Sequence, residues 1–411
     1  MRNILSLAAV LLSATACIYP YDPDLEKAPE GVLVVDGDIS IGSTTTLRLG
    51  TMYSLFSSDF GYSYSYTDED GTVYSLADAR AWVEDSEGDV YEGIPGLFGS
   101  GSAYAYEDWG YYGYNPLQFT VHTEDAPANR EYRVCVDVFG ARYSSDWTKP
   151  LQGPVINEIS FVPNQDKVTV AVSIDGGPEA TGYVSLSYEE TWEFHTDYTL
   201  SYVVDTSSWT VAIPFSPPQQ PNYWCWKNSN YNISYPVDFS GMEGNGMTAY
   251  PLFSFSRYDN RNHRKYCVNV TAKTLSKESY KYLSHLEEMS SGDGDLFTPN
   301  PGEIPGNLRC ETDPDRRVLG YVTASLTTSK RAFLDNRYYL SSRPNLYALY
   351  FITQDKYASY YHAGFLPLVE NPRPDFDPEA EGPYGWGPKR CYDCIAAGGT
   401  KDRPAFWDED L

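Results

Sequence analysis

Residues 79–93 read ARAWVEDSEGDVYEG, and this stretch sets the fold class. Strand-forming residues stand at both ends with Asp, Ser, Glu and Gly between them, so the segment predicts a hairpin turning near residues 86–89. Residues 129–147, NREYRVCVDVFGARYSSDW, add two short strands on either side of Phe139-Gly140. Upstream, residues 31–50 read GVLVVDGDISIGSTTTLRLG, two β-rich runs separated by Gly and Ser. Strands at this spacing, each closed by turn residues, predict an immunoglobulin-like β-sandwich over residues 31–150. Pro150, Gly153 and Pro154 then mark a domain boundary.

The remainder, 151–411, reads as a second, larger antiparallel β domain. A strand is expected over 156–162, followed by the runs DKVTVAVSI, GYVSLSYEETWEF and SWTVAIPF. One short α-helix is expected over 276–290, in LSKESYKYLSHLEEMSSG. Ser276 would cap its start and Gly292 would stop it. Tyr282, Leu286 and Met289 recur at helical spacing and are expected to pack on the sheet. Residues 368–390, rich in Pro, Asp and Glu, read as an irregular surface wrap. No repeat of fixed period is present. The chain is expected to be all-β.

Composition agrees. The 37 Tyr against 17 Phe, with 32 Gly and 28 Pro, fit strands, half-buried faces and turns. A formal charge of −26 repels phosphate backbones, which argues against nucleic acid as a partner.

The N-terminus reads MRNILSLAAVLLSATAC. Arg2 precedes an apolar run over 4–12 and small residues lead to Cys17, as in a secretory signal peptide too short to span a bilayer. A cysteine directly after the small-residue site predicts cleavage after residue 16 and lipidation of Cys17, with 17–30 as an anchored linker. Ala14 stands where a lipobox usually has Leu. Ordinary cleavage would leave Cys17 as an odd thiol.

Catalytic motifs are missing. There is no Gly-x-Ser-x-Gly elbow and no glycine-rich phosphate loop after a strand. The five histidines, 122, 195, 263, 285 and 362, form no His-x-x-x-His pair. Clustered oxygens at 36–40, 67–71 and 291–297 suit calcium, yet none completes an EF-hand and turn chemistry explains Asp-Gly equally well. No carboxylate pair is singled out for glycoside hydrolysis. We therefore expect no enzyme activity, cofactor or metal.

The candidate recognition surface is aromatic. GYSYSYTDEDGTVYS and GSAYAYEDWGYYGYNPL carry Tyr62, Tyr64, Tyr66, Tyr104, Tyr106, Trp109, Tyr111, Tyr112 and Tyr114. Tyrosine among Ser and Gly gives contact area at low ordering cost, so these segments could hold a peptide, a sugar or a protein. Strand alternation packing the rings on their own sheet explains the pattern equally well.

Cys391-Tyr392-Asp393-Cys394 could be a redox couple, half a zinc site or a covalent staple. The redox option needs a helix N-terminus after a strand, and this tail offers neither. Zinc needs further ligands, and no second Cys-x-x-Cys or nearby His supplies them. Setting Cys17 aside leaves an even set, Cys135, Cys225, Cys267, Cys310, Cys391 and Cys394, as a disulfide framework requires.

Taken in order, VLVVDGDI, ARAWVEDSEGDVYE, YRVCVDVFGARYSS, YWCWKNSNYNIS, LSKESYKYLSHLEEM, LFTPNPGEIPGNLRC with VLGYVTAS, and CYDCIAAGGTKDRPAFW resemble the Bacteroidetes outer-membrane lipoprotein family known as domain of unknown function 4249. The resemblance implies a surface-facing outer-membrane lipoprotein, often encoded beside TonB-dependent transporters, and hence an accessory binding or docking subunit in peptide or glycan uptake. Asp22, Asp24 and Glu26 loosely match the acidic export signal of such lipoproteins. It implies no reaction. It also implies that the tail pair, Cys391 and Cys394, bonds to Cys225 and Cys310, a 391–394 bond being the alternative. Cys135 and Cys267 fall outside the family pattern and read as buried thiols or as a bridge. A structural or adhesive surface module and, behind it, a hydrolase are the competing functions.

Overall fold

The computed structural model describes residues 32–51, 65–67, 71–96, 117–177, 181–213, 215–220, 222–290, 306–335, 349–372 and 381–408. The 79–93 segment is the expected hairpin: Arg80–Asp85 pairs antiparallel with Val90–Pro95. Asp85 closes its turn, one carboxylate oxygen accepting from the Glu87 and Asp89 amides at 3.0 Å each. Gly88, at φ +95°, supplies the left-handed step. Arg130 reaches Asp85, Glu87 and Asp89 together, at 2.5–2.6 Å, and fixes the turn to the next strand.

That next strand, Tyr132–Val138, opens with a tyrosine corner, in which the Tyr132 hydroxyl donates to the Pro127 carbonyl. Such corners lock strand entry in immunoglobulin-like sandwiches. Alternation is clear in Leu117–His122, where Leu117, Phe119 and Val121 are buried and Gln118 and His122 are exposed.

Ten strands form the first sheet, in the order Leu151–Gln152, Val318–Leu326, Leu33–Ile41, Thr44–Thr51, Leu117–His122, Val90–Pro95, Arg80–Asp85, Tyr132–Val138, Ala141–Ser145, Leu308–Cys310. Its two ends meet. The Asn307 side chain donates to the Val322 carbonyl at 2.7 Å and accepts from the Val322 amide at 2.8 Å, taking the place of a strand partner. The sheet thus folds around a single core that includes Leu33, Leu47, Phe119, Val134, Tyr143 and Val322. Gly306, beside Asn307, allows the close approach: a Cβ there would lie 1.9 Å from the Gly320 carbonyl oxygen. Hydrogen bonding therefore does not follow a division at residue 150, because 308–310 and 318–326 complete the first sheet.

The second core lies between two antiparallel sheets. One orders Val155–Pro163, Lys167–Asp175 and Met247–Ser256; the other orders Trp224–Asp238, Tyr183–His195, Lys265–Thr274 and Thr328–Asp335. Val168, Val170 and Val172 face Leu186, Val268 and Val270 across it. This sandwich of three and four strands has the strand count of an immunoglobulin-type domain. A third, small sheet of Tyr350–Phe351, Tyr384–Pro388 and Phe365–Glu370 packs around Trp386 and Leu368. Two of its strands lie where an irregular wrap was expected.

The expected helix is Lys277–Ser290, and the Ser276 hydroxyl caps it by accepting from the Ser279 amide at 3.0 Å. Tyr282 meets Tyr321 at 5.0 Å between ring centroids, whereas Leu286 is 40% exposed and does not pack as expected. Met289's side chain and Gly292 lie outside the described residues. A second short helix, Tyr357–His362, was not anticipated. Among the described residues no helix is long and apolar enough to cross a membrane.

Cys225 is disulfide-bonded to Cys394, tying the tail to the second sandwich. The expected bond of Cys310 to the tail pair is not formed, nor is a 391–394 bond. Cys310 is buried in the first core, while Cys391 is buried with Tyr198, Leu349 and Leu368, so the two thiols belong to different cores. Cys135 and Cys267 are buried thiols on strands.

Candidate functional site

The Tyr132–Val138 and Ala141–Ser145 strands are joined by Phe139 at φ +55° and Gly140 at φ +69°. Two successive left-handed residues make a primed turn, whose twist matches a tight hairpin. Phe139 sends its ring into the first core. Gly140 leaves room for Tyr74: a Cβ there would sit 3.1 Å from the Tyr74 ring. Tyr74 belongs to the strand Val73–Ser75, paired with Ser65–Thr67 so that Tyr66 lies opposite Tyr74.

Between these hairpins lies an open cleft of about 680 Å³, lined by Tyr74, Asp78, Phe139, Arg142, Glu311 and Thr312 among others. Arg142 grips Asp137 through two hydrogen bonds of 2.8 Å, which hold that carboxyl below its usual range despite partial burial. The same guanidinium lies 5.2 Å from the Trp82 ring centroid. Glu311 accepts from the Ser144 hydroxyl at 2.8 Å and pairs with Arg133 at 3.1 Å. Asp78, at the rim, has no ion-pair partner among the described residues. A neighbouring depression of about 570 Å³ is basic, lined by Arg309, Arg316 and Arg317, and it shares Glu311 with the cleft. The two depressions therefore carry charges of both signs, with Arg142 paired to Asp137 in the cleft and Arg309 paired to Asp146 beside it.

Of the aromatic residues singled out by sequence, Tyr66 lies on the strand Ser65–Thr67, in register with Tyr74. Tyr62, Tyr64, Tyr104, Tyr106, Trp109, Tyr111, Tyr112, Tyr114 and Cys17 lie outside the described residues. Of the calcium candidates, Asp36 pairs with Arg48 and Asp38 with Lys273, so both carboxylates are engaged by cations. Among the described residues no group of three or more His, Cys, Asp or Glu is placed to hold a metal ion. Tyr74, Asp78, Arg142 and Glu311 were not foreseen, and only the Phe139-Gly140 turn signalled that a hairpin end lay there.

Two other titratable groups are enclosed. Glu190, about 1% exposed, accepts from the Tyr266 hydroxyl at 2.7 Å and meets Arg261 at 3.0 Å, which fixes the loop at the sandwich end. His263 stacks on His195 at 4.2 Å, and burial, then the neighbouring imidazole, pushes its pKa down to about 4 from an ordinary 6.5. Between those values the unfolded chain binds the extra proton, so stability falls as pH drops from 6.5 towards 4 and levels off below. The loss is expected to be on the order of 2–3 kcal/mol, and His263→Gln should flatten that limb in urea titrations at pH 7, 5.5 and 4.5.

A family profile described as Domain of unknown function (DUF4249) matches residues 18–331. The chain belongs to this family. Every named cleft residue of this DUF4249 protein falls inside the match, as does Cys225, whereas the Cys391–Cys394 tail and the third sheet fall outside it. The tail motif is thus no part of the matched stretch, contrary to the expectation from resemblance. No curated protein matches the chain.

Proposed function

We propose that this protein is exported, lipidated at Cys17, and held on the outer membrane facing the surface, where it serves as an accessory binding subunit of a TonB-dependent uptake system. The leader MRNILSLAAVLLSATAC supports the anchor, and the resemblance of the ordered sequence segments to outer-membrane lipoproteins encoded beside TonB-dependent transporters supports the partner. The observation that carries the binding role is the cleft lined by Tyr74, Asp78, Arg142 and Glu311 beside the Phe139-Gly140 turn. An open groove with fixed ion pairs and Tyr74 in its lining suits holding a peptide or glycan for handover more than turning it over.

Mass spectrometry of the N-terminus from native membranes tests the anchor. A diacylated or triacylated Cys17 is expected, with Cys17→Ser releasing the protein from the membrane fraction. An unmodified thiol or an uncleaved leader would end the tethering proposal. Co-purification in mild detergent tests the partner, and recovery of the protein alone would count against it.

A further inference from the structure

We draw no further inference here: the strongest candidate, the depression lined by Arg309, Arg316 and Arg317 at the end of the first sheet, belongs to the site already described, since it shares Glu311 with the cleft, Arg309 is paired with Asp146, and Arg316 donates to the carbonyl of Phe139 at the cleft's own turn.

Discussion

Replacing Cys225 and Cys394 together by alanine is expected to destabilise the second sandwich by roughly 5 kcal/mol, the largest effect of any change considered. The bond spans 169 residues, and cross-linking stabilises mainly by removing loop-closure freedom from the unfolded chain, which grows with the logarithm of that span. Native contacts add to it. The tail returns along the Trp224–Asp238 strand, where the Thr400 and Trp226 backbones exchange two hydrogen bonds of 2.8 and 2.9 Å. Gly399 then packs against the disulfide, with room for no Cβ: one would lie 2.6 Å from that of Cys225. Further along, Lys265 donates to the Trp407 carbonyl and lies over the Phe333 and Trp407 rings at 4.2 and 5.3 Å, while Arg331 covers Phe406 at 3.9 Å. Urea unfolding of the double variant, followed by Trp fluorescence, measures the loss. A change under about 1 kcal/mol would mean that these contacts hold the tail without the covalent link. Thiol titration gives a second check. Cys135, Cys267, Cys310 and Cys391 should react only after unfolding, since burial pushes the Cys135 thiol up to about 12 and raises Cys391 as well.

The features that could be read in the sequence are those whose partners lie within a few residues. The hairpin turn near 86–89, which Asp85 closes, and Ser276 capping its helix are both local, and local propensity agreed with the final structure at each. The Tyr357–His362 helix escaped because six residues are too few to repeat an apolar face at helical spacing. Closure of the first sheet escaped for a different reason. Its agents, Gly306 and Asn307, act on Gly320 and Val322, and nothing in a Gly-Asn pair indicates which distant strand it will meet. The cleft shows the same limit: the Phe139-Gly140 turn was legible, but Glu311 reaches Ser144 from 167 residues away. The resemblance implied that both tail cysteines bond, to Cys225 and Cys310, but only Cys225–Cys394 forms, because Cys310 and Cys391 belong to different cores, which spacing does not reveal.

Lys273→Met is expected to cost roughly 3 kcal/mol and to separate the unfolding of the two main cores. Lys273 lies on the Lys265–Thr274 strand of the second sandwich, and its ammonium meets Asp38 of the first sheet at 2.5 Å. Both side chains are about one-fifth exposed, at 23% and 21%. Asp38 also accepts from the hydroxyls of Ser40, Thr323 and Ser325, so its carboxylate is built into the joint between strands Leu33–Ile41 and Val318–Leu326. Burial by itself would raise the Asp38 pKa, but Lys273 and then the hydroxyls of Thr323 and Ser40 bring it below the ordinary value. With a depressed carboxyl pKa the stabilisation is complete above about pH 4 and is lost as pH falls through the lower folded value. Removing the cation leaves the carboxylate enclosed without its counter-charge, which costs more than the pair contributes when intact. Asp38→Asn combined with Lys273→Met should therefore recover part of the loss, because the hydroxyls can still be satisfied by an amide. Beside this pair, the Thr274 hydroxyl donates to the Gln152 carbonyl at 2.7 Å, a second link across the same joint. With the ion pair gone, that hydrogen bond and the Tyr282–Tyr321 ring contact are too weak to keep both cores in one cooperative unit, and urea titration should resolve two transitions. A single transition within about 0.5 kcal/mol of wild type would show that the joint is held by packing and that Asp38 serves only its own sheet.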